Sequence, residues 1–322
     1  MRSGPIVPAF AGGRQETGGI GMDPTKTLEN LARRFLPPSA ARAAKRVAVW
    51  PRYWAQRAAC RRGFRAYGSR YPHPVLYVAG LPKSGTTWLE KMISSFPGFH
   101  ELLIPEVASH ELRTGGSHDF ELPDGMFERF RGMLVLTKMH AHGSAHNAGV
   151  LKRAGVPYVV LYRDLRDVAV SNYFYVRNTP WHPEYPLYAP LPLQEGLRVF
   201  SERTLPAYAA WVRSWRDNRD PDSSLMLRYE DMLSDARGSV TRIATLFGLD
   251  DSPETVGRIV EAHSFERMSG GRERGQDDSR AFVRKGVAGD WRNHFDEALR
   301  RTYKSTIGEF LVEFGYEAGT DW

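Results

Sequence analysis

Residues 80–88, Gly-Leu-Pro-Lys-Ser-Gly-Thr-Thr-Trp, hold a lysine, three hydroxyl side chains and two bounding glycines in nine positions. That mixture suits an anion. Glycines let the backbone N–H groups converge, the hydroxyls donate, and Lys83 neutralises charge. The spacing of Gly80 and Gly85 matches the nucleoside-triphosphate loop G-x-x-x-x-G-K-[ST], but Thr86 stands where that loop has its lysine. The cation has moved into the loop as Lys83, so a bound phosphate meets it from another side. A plain turn rich in small residues is the competing reading, and the coincidence of lysine, hydroxyls and glycines at one point weighs against it.

A second cluster is Lys138-Met-His140, followed by His142. Residues two apart on a strand share a face, so a cation and an imidazole point at one place. A structural histidine is the alternative, but a lysine beside it is costly to bury without an anion. His142 and His146 have no companion cysteine or carboxylate cluster in the sequence, and no metal site is read there. A third cluster is Arg163 with Ser171 eight residues on, about two helical turns. These could converge on a second anion, or Arg163 could simply pair with Asp164 or Asp167.

The elements around these clusters follow a strand-then-helix plan. Val75–Ala79 reads as a buried strand ending at the glycine loop, with a helix opening at Thr86–Trp88. Residues 133–142, 156–162 and 225–229 read as further strands, and ligands of open α/β sheets collect at the strands' carboxyl ends. A long helix is expected over 195–218, others near 234–247 and 253–263, and a terminal one over 296–314. The Pro- and aromatic-rich stretch 178–194 reads as an ordered loop walling a substrate, and 269–280 as a mobile Gly-rich segment.

The chain has 322 residues, one cysteine (Cys60) and a net charge of +7. No disulfide framework is possible within one chain, and a reducing, cytoplasmic setting fits. No run is long and apolar enough to span a membrane. Eleven Lys or Arg and no acid fall between residues 31 and 70; the first thirty residues balance, so the net +7 less these eleven leaves 71–322 at −4. The basic charge belongs to an extension and not to the body, which argues against nucleic acid as partner. We read residues 1–22 as a disordered tail, 23–70 as a basic helical extension broken at Pro37–Pro38 and Pro51, and 71–322 as one domain. The extension could pack its apolar positions (Leu28, Leu31, Phe35, Val47, Val49, Trp50, Trp54) on the body with the arginines in water, or make peripheral contact with an anionic membrane through 24–70. The packed arrangement is the one expected.

From Val75 to Phe314 the sequence resembles the soluble sulfotransferases. The resemblance rests on Pro82–Trp88, Lys138-Met-His140, Arg163 with Ser171, Tyr229-Glu-Asp231, Ser264-Phe265 and Arg284-Lys-Gly-x-x-Gly-Asp-Trp291, in that order. It implies a P-loop-like three-layer α/β/α fold on a central parallel sheet. It implies transfer of a sulfuryl group from 3′-phosphoadenosine 5′-phosphosulfate (PAPS) to an acceptor hydroxyl or amine, releasing adenosine 3′,5′-diphosphate without a required metal; the aromatic loop 178–194 and His140 point to a small, apolar acceptor. By the same resemblance Lys83, Ser84, Gly85, Thr86 and Thr87 hold the 5′-phosphosulfate. Trp88 and Phe265 pack on the adenine beside Ser264, with Tyr229 at its edge. Arg163, Ser171, Arg284, Lys285 and the Gly286 N–H bind the 3′-phosphate. His140 is the base, with Lys83 and Lys138 as cations about the transferred group. His263 replaces a threonine common beside Ser264, and Arg292, Asp296, Glu297 and Arg301 replace a dimer segment of vertebrate members, which leaves oligomeric state open. A P-loop kinase using ATP and a non-enzymatic membrane- or partner-binding protein are the alternatives.

Overall fold

The structure, a computed structural model, describes residues 37–322 apart from Ser117. The expected tail 1–22 and the first part of the extension, 23–36, lie outside the described residues. Five strands form a parallel sheet: β1 Val75–Gly80, β2 His100–Glu101, β3 Val135–Met139, β4 Tyr158–Tyr162 and β5 Ser224–Arg228, in the order β2-β3-β1-β4-β5.

Every residue of β1 and β4 is buried, because helices cover both faces of the sheet. Side-chain alternation divides each strand between two layers. Tyr77 and Ala79 of β1 join Tyr158 and Val160 in one cluster, together with the helices Leu193–Arg203, Leu205–Asn218 and Glu297–Glu313. Leu76 and Val78 join Val159 and Leu161 in the other, with Thr86–Ile93, Ala236–Phe247 and Pro253–Ala262. The result is the three-layer α/β/α architecture with a central parallel sheet expected of a P-loop-like fold.

The order in which strands are added reverses about β1, whose neighbours β3 and β4 lead to opposite edges of the sheet. The register pairs Ala79 with Met139 and Gly80 with Leu161. Three carboxyl ends therefore meet at one rim: the loop after Gly80, the Lys138–His140 stretch, and Arg163. This is the topological switch point where such sheets bind ligands.

Two expected elements differ. The 195–218 helix is two, Leu193–Arg203 and Leu205–Asn218, meeting at Thr204. Pro206 has no N–H to give the carbonyl of Glu202, so the first helix cannot run through it. Conversely, Pro51 does not break the extension. Pro38–Tyr67 is one helix of 30 residues with Pro51 inside it. It lies along β2: Gln56 Oε1 accepts the Leu103 N–H (2.9 Å), and the Cys60 carbonyl accepts the Leu134 N–H (3.1 Å). Of its expected apolar contacts among the described residues only Val49 is buried, whereas Val47, Trp50 and Trp54 face outward.

The C-terminus is clamped by Arg166, itself 1% exposed. Its guanidinium lies between the rings of Trp291 (3.9 Å) and Trp322 (4.3 Å), and binds Asp164 (2.7 Å) and Glu317 (2.6 Å). Arg166→Met should destabilise the fold by about 3–5 kcal/mol, because it strands the buried Asp164 carboxylate. Chemical denaturation reads this directly, and an unshifted midpoint would refute it.

Candidate active site

β1 delivers the chain into the loop Leu81–Gly85. Lys83 has φ +66°, the only non-glycine with positive φ among the described residues, and Gly85 follows at +84°. Strain of this kind concentrates at functional sites, and here it curls the backbone ahead of the helix Thr86–Ile93. No side chain caps that helix, so its first N–H groups remain available to an anion. Ser84 is fully buried, and its hydroxyl has no hydrogen-bond partner among the described residues. Lys83 Nζ lies 3.7 Å from the ring centre of Tyr175 and 5.2 Å from that of Phe282.

His140 sits just past β3. Its Nδ1 is 2.5 Å from the Gly80 carbonyl oxygen. A carbonyl only accepts, so Nδ1 carries the proton and the neutral ring has its lone pair on Nε2. Trp211 Nε1 donates to the His140 carbonyl (2.6 Å), fixing the backbone as well. Burial lowers the His140 pKa below the usual histidine value; the Lys138 and Lys83 charges act in the same direction, against Glu111 and the Gly80 carbonyl. Lys138 Nζ reaches Thr87 Oγ1 (3.4 Å) and is ion-paired with Glu90.

Arg163, at the end of β4, is the hub of the other side. Its guanidinium donates to the carbonyl oxygens of Val287 (2.9 Å) and Lys83 (3.4 Å) and lies 4.3 Å from the Tyr229 ring. Of the two acids that could pair with it, Asp167 does so (3.3 Å), while Asp164 is taken by Arg166. Arg163 Nε is buried without a hydrogen-bond partner among the described residues. Asp167 also accepts the N–H groups of Gly289 (2.7 Å) and Trp291 (2.9 Å), pinning the 284–291 loop to the helix Leu165–Arg177 that bears Ser171.

That loop presents Arg284 and Lys285 as a pair tethered by Asp290. Lys285 Nζ is 2.6 Å from Asp290 Oδ1, and Arg284 binds both Asp290 and Asp277 (2.8 Å). Burial alone would raise the Asp290 pKa, but hydrogen bonds from His294, Lys285, Arg284 and Asn293 hold its carboxyl far below the carboxylate range. Gly286 has φ +68°, and a Cβ there would lie 2.2 Å from a Phe265 ring carbon. The backbone thus passes directly over the aromatic ring, an approach open only to glycine. Trp88 stands edge-on to Tyr229 (6.2 Å) and donates its indole N–H to the His263 carbonyl (2.9 Å).

All the residues singled out in the sequence for holding the donor line one pocket, except Ser84 and Ser264. Ser84 is buried behind it, and the Ser264 hydroxyl caps the helix Phe265–Ser269 by accepting the Arg267 N–H. Neither Lys138 nor His140 lines it: Lys138 reaches the lining residue Thr87, and His140 is held by the carbonyl of Gly80, where the strand enters the loop. His142 and His146 share Glu121, at 3.1 and 4.0 Å. No group of three or more such side chains that could hold a metal ion occurs among the described residues.

The family model described as "Sulfotransferase domain" matches residues 73–315. The chain belongs to the sulfotransferase family. It is a sulfuryl-transferring enzyme. Mouse sulfotransferase 1E1 is similar at 26% identity over 261 residues, covering 75% of this chain and 86% of that one. Dog sulfotransferase 1B1 is 27% identical over 272 residues, with the same shares. Among solved structures, mouse sulfotransferase SULT7A1 complexed with PAP gives a TM-score of 0.56 at 21% identity, covering 77% of this chain and 88% of its own. Retinol dehydratase with androsterone and PAP gives 0.53 at 24%, covering 78% and 85%. At these identities the two structures speak to the fold.

Several residues of this sulfotransferase's site escaped the sequence reading. Asp290 organises the 284–291 loop, Glu90 holds Lys138, and Tyr175 and Phe282 cover Lys83, while Asp167, expected only as a partner of Arg163, also pins that loop. Only Asp290 had a local signal, lying five residues after Lys285 in the Gly-Asp-Trp motif. The 269–280 segment also differs from a free loop. Arg272 donates to the carbonyls of Gln276 (3.1 Å) and Arg284 (2.7 Å), and the Gly275 N–H bonds the Lys285 carbonyl (2.9 Å).

Proposed function

We propose that the enzyme moves the sulfuryl group of PAPS to a hydroxyl or amine of a small, apolar acceptor, with His140 as general base. One observation carries this reading: a single pocket is lined by three aromatic rings (Trp88, Tyr229, Phe265), by the Lys83 loop and by a second cationic set, Arg163, Arg284 and Lys285, drawn from two other stretches of the chain. ATP carries phosphates at one end of its ribose only. A nucleotide phosphorylated at both the 3′ and 5′ positions uses both groups. The buried, unpartnered Ser84 hydroxyl and Arg163 Nε fit such an anion, since buried polar atoms are normally satisfied.

PAPS, when bound, supplies the sulfuryl group. The chain's residues do the rest. His140 Nε2 accepts the acceptor's proton as the new O–S bond forms, an effect of about 10²–10⁴-fold for a positioned base. Lys83 and the loop N–H groups meet the charge left on the 5′-phosphate oxygen as the old S–O bond breaks. Lys138, held by Glu90, adds a second cation beside Thr87. The aromatic loop 178–194, with Trp181 and Tyr188 buried, walls the acceptor side.

Calorimetric titration without Mg²⁺ tests the donor assignment. Adenosine 3′,5′-diphosphate should bind more tightly than ADP by about 10–150-fold, the worth of one charged phosphate contact. A preference for ADP would overturn the proposal in favour of a kinase.

A further inference from the structure

The outward face of the helix Pro38–Tyr67 plays no part in the chemistry above, and its composition is unlike a solvated surface. Its inward side packs on the body through Val49, Gln56, Cys60 and Gly63. Between Ala43 and Ala66 every exposed residue is Ala, Val, Trp, Pro or Arg. Val47, Trp50 and Trp54 are 76%, 53% and 57% exposed and, at i, i+3 and i+7, lie in one line. Arg61 and Arg65, both exposed, continue that line, with Arg46 and Arg62 beside it. The Arg57 guanidinium covers Trp54 at 5.7 Å. From Val47 to Arg65 the stripe runs roughly 27 Å.

Ordinary exposed helix faces mix both charges with hydrogen-bond acceptors. This one offers hydrocarbon, indole and guanidinium N–H donors, and no side-chain acceptor. Its charge also opposes that of the body, which is net acidic over 71–322. The complementary surface must therefore present acceptors and negative charge throughout, over an apolar layer that takes up tryptophan. A protein surface interleaves donors with acceptors and would leave donors facing donors. A layer of phosphodiester headgroups over acyl chains meets every requirement.

We propose that this face docks the enzyme on an anionic phospholipid bilayer, with Val47, Trp50 and Trp54 at the headgroup–acyl boundary and Arg46, Arg61, Arg62 and Arg65 on lipid phosphates. The inference does not depend on which acceptor or donor the enzyme uses.

Sedimentation of the full-length chain with phosphatidylcholine vesicles, and with vesicles half phosphatidylglycerol, tests it. Binding should be confined to the anionic vesicles, weaken with salt, and shift tryptophan emission to the blue. Each of Arg61→Gln, Arg62→Gln and Arg65→Gln should weaken it about fivefold. Trp50→Ser with Trp54→Ser should abolish the emission shift and the binding that persists in high salt. These side chains are solvent-facing, and unchanged near-ultraviolet circular dichroism would show the variants folded. Equal binding to both vesicle types, or to neither, overturns the proposal. So does anionic-vesicle binding untouched by the five substitutions. Retention on soluble poly-glutamate without vesicle binding also overturns it, in favour of an acidic protein partner.

Discussion

Replacing His140 with alanine is expected to lower kcat by about 10²–10⁴-fold while leaving the affinity for adenosine 3′,5′-diphosphate essentially as it was. The separation follows from position. His140 is held at the end of β3 by the Gly80 carbonyl and Trp211, outside the lining of the pocket proposed for the nucleotide. Its removal takes away the proposed proton acceptor and none of the aromatic or cationic groups that line the pocket. Single-turnover kinetics beside calorimetry separates the two effects. A kcat within a few-fold of the parent would remove His140 as the base, and a matching collapse of nucleotide affinity would show that its loss had unseated the Gly80 loop.

The same residue sets a pH dependence with a definite sign. In the proposed role His140 must be neutral to act, and burial lowers its pKa. Loss of kcat/KM on acidification should therefore set in below the ordinary histidine value of about 6.5, and activity should persist at pH values where a solvated histidine is already charged. An acid limb above that value would mean that a different group governs turnover. Asn in place of His140 should erase the limb along with the rate.

What the sequence made legible was local. The glycine loop, the lysine–histidine pair and the arginine at a strand end each lie within a few residues of an element whose period is plain, and a parallel sheet gathers such ends on one rim. The pairing of Arg163 with Asp167, four residues on, was legible as an alternative; the other restraints were not, because they come from far along the chain. Glu90 meets Lys138 across 48 residues, and Asp167 meets Gly289 across 122. Nothing in the spacing of either pair foretells the contact. Local rules failed in two further ways. Pro51 lies inside an intact helix because proline removes one hydrogen bond but leaves the flanking turns in place. Trp50 and Trp54 are exposed because the helix's register is set by Val49, Gln56 and Cys60 against β2 and its flanks, which turns the tryptophans outward. Periodicity identifies apolar positions but not which of them a neighbouring element will cover.

Arg284→Ala should weaken adenosine 3′,5′-diphosphate by about 10–150-fold, the loss of one charged hydrogen-bonded contact, and leave adenosine 5′-monophosphate little changed. The variant should fold, because Asp290 keeps Lys285, His294 and Asn293 after Arg284 is gone. The 284–291 loop likewise keeps its anchor on Asp167, and Gly286 its place over Phe265. What is lost is one guanidinium of the pocket lining, contributed by the 284–291 loop and not by the Lys83 loop, so under the proposed assignment only a ligand carrying the 3′-phosphate should feel it. Comparative calorimetry of the two nucleotides reads the difference. An equal loss for both would mean that Arg284 acts through the loop's shape and that the 3′-phosphate site lies elsewhere. A selective loss would fix the polarity of the nucleotide in the pocket, with the 5′ end on the strained Lys83 loop and the reacting oxygen on the side where His140 waits.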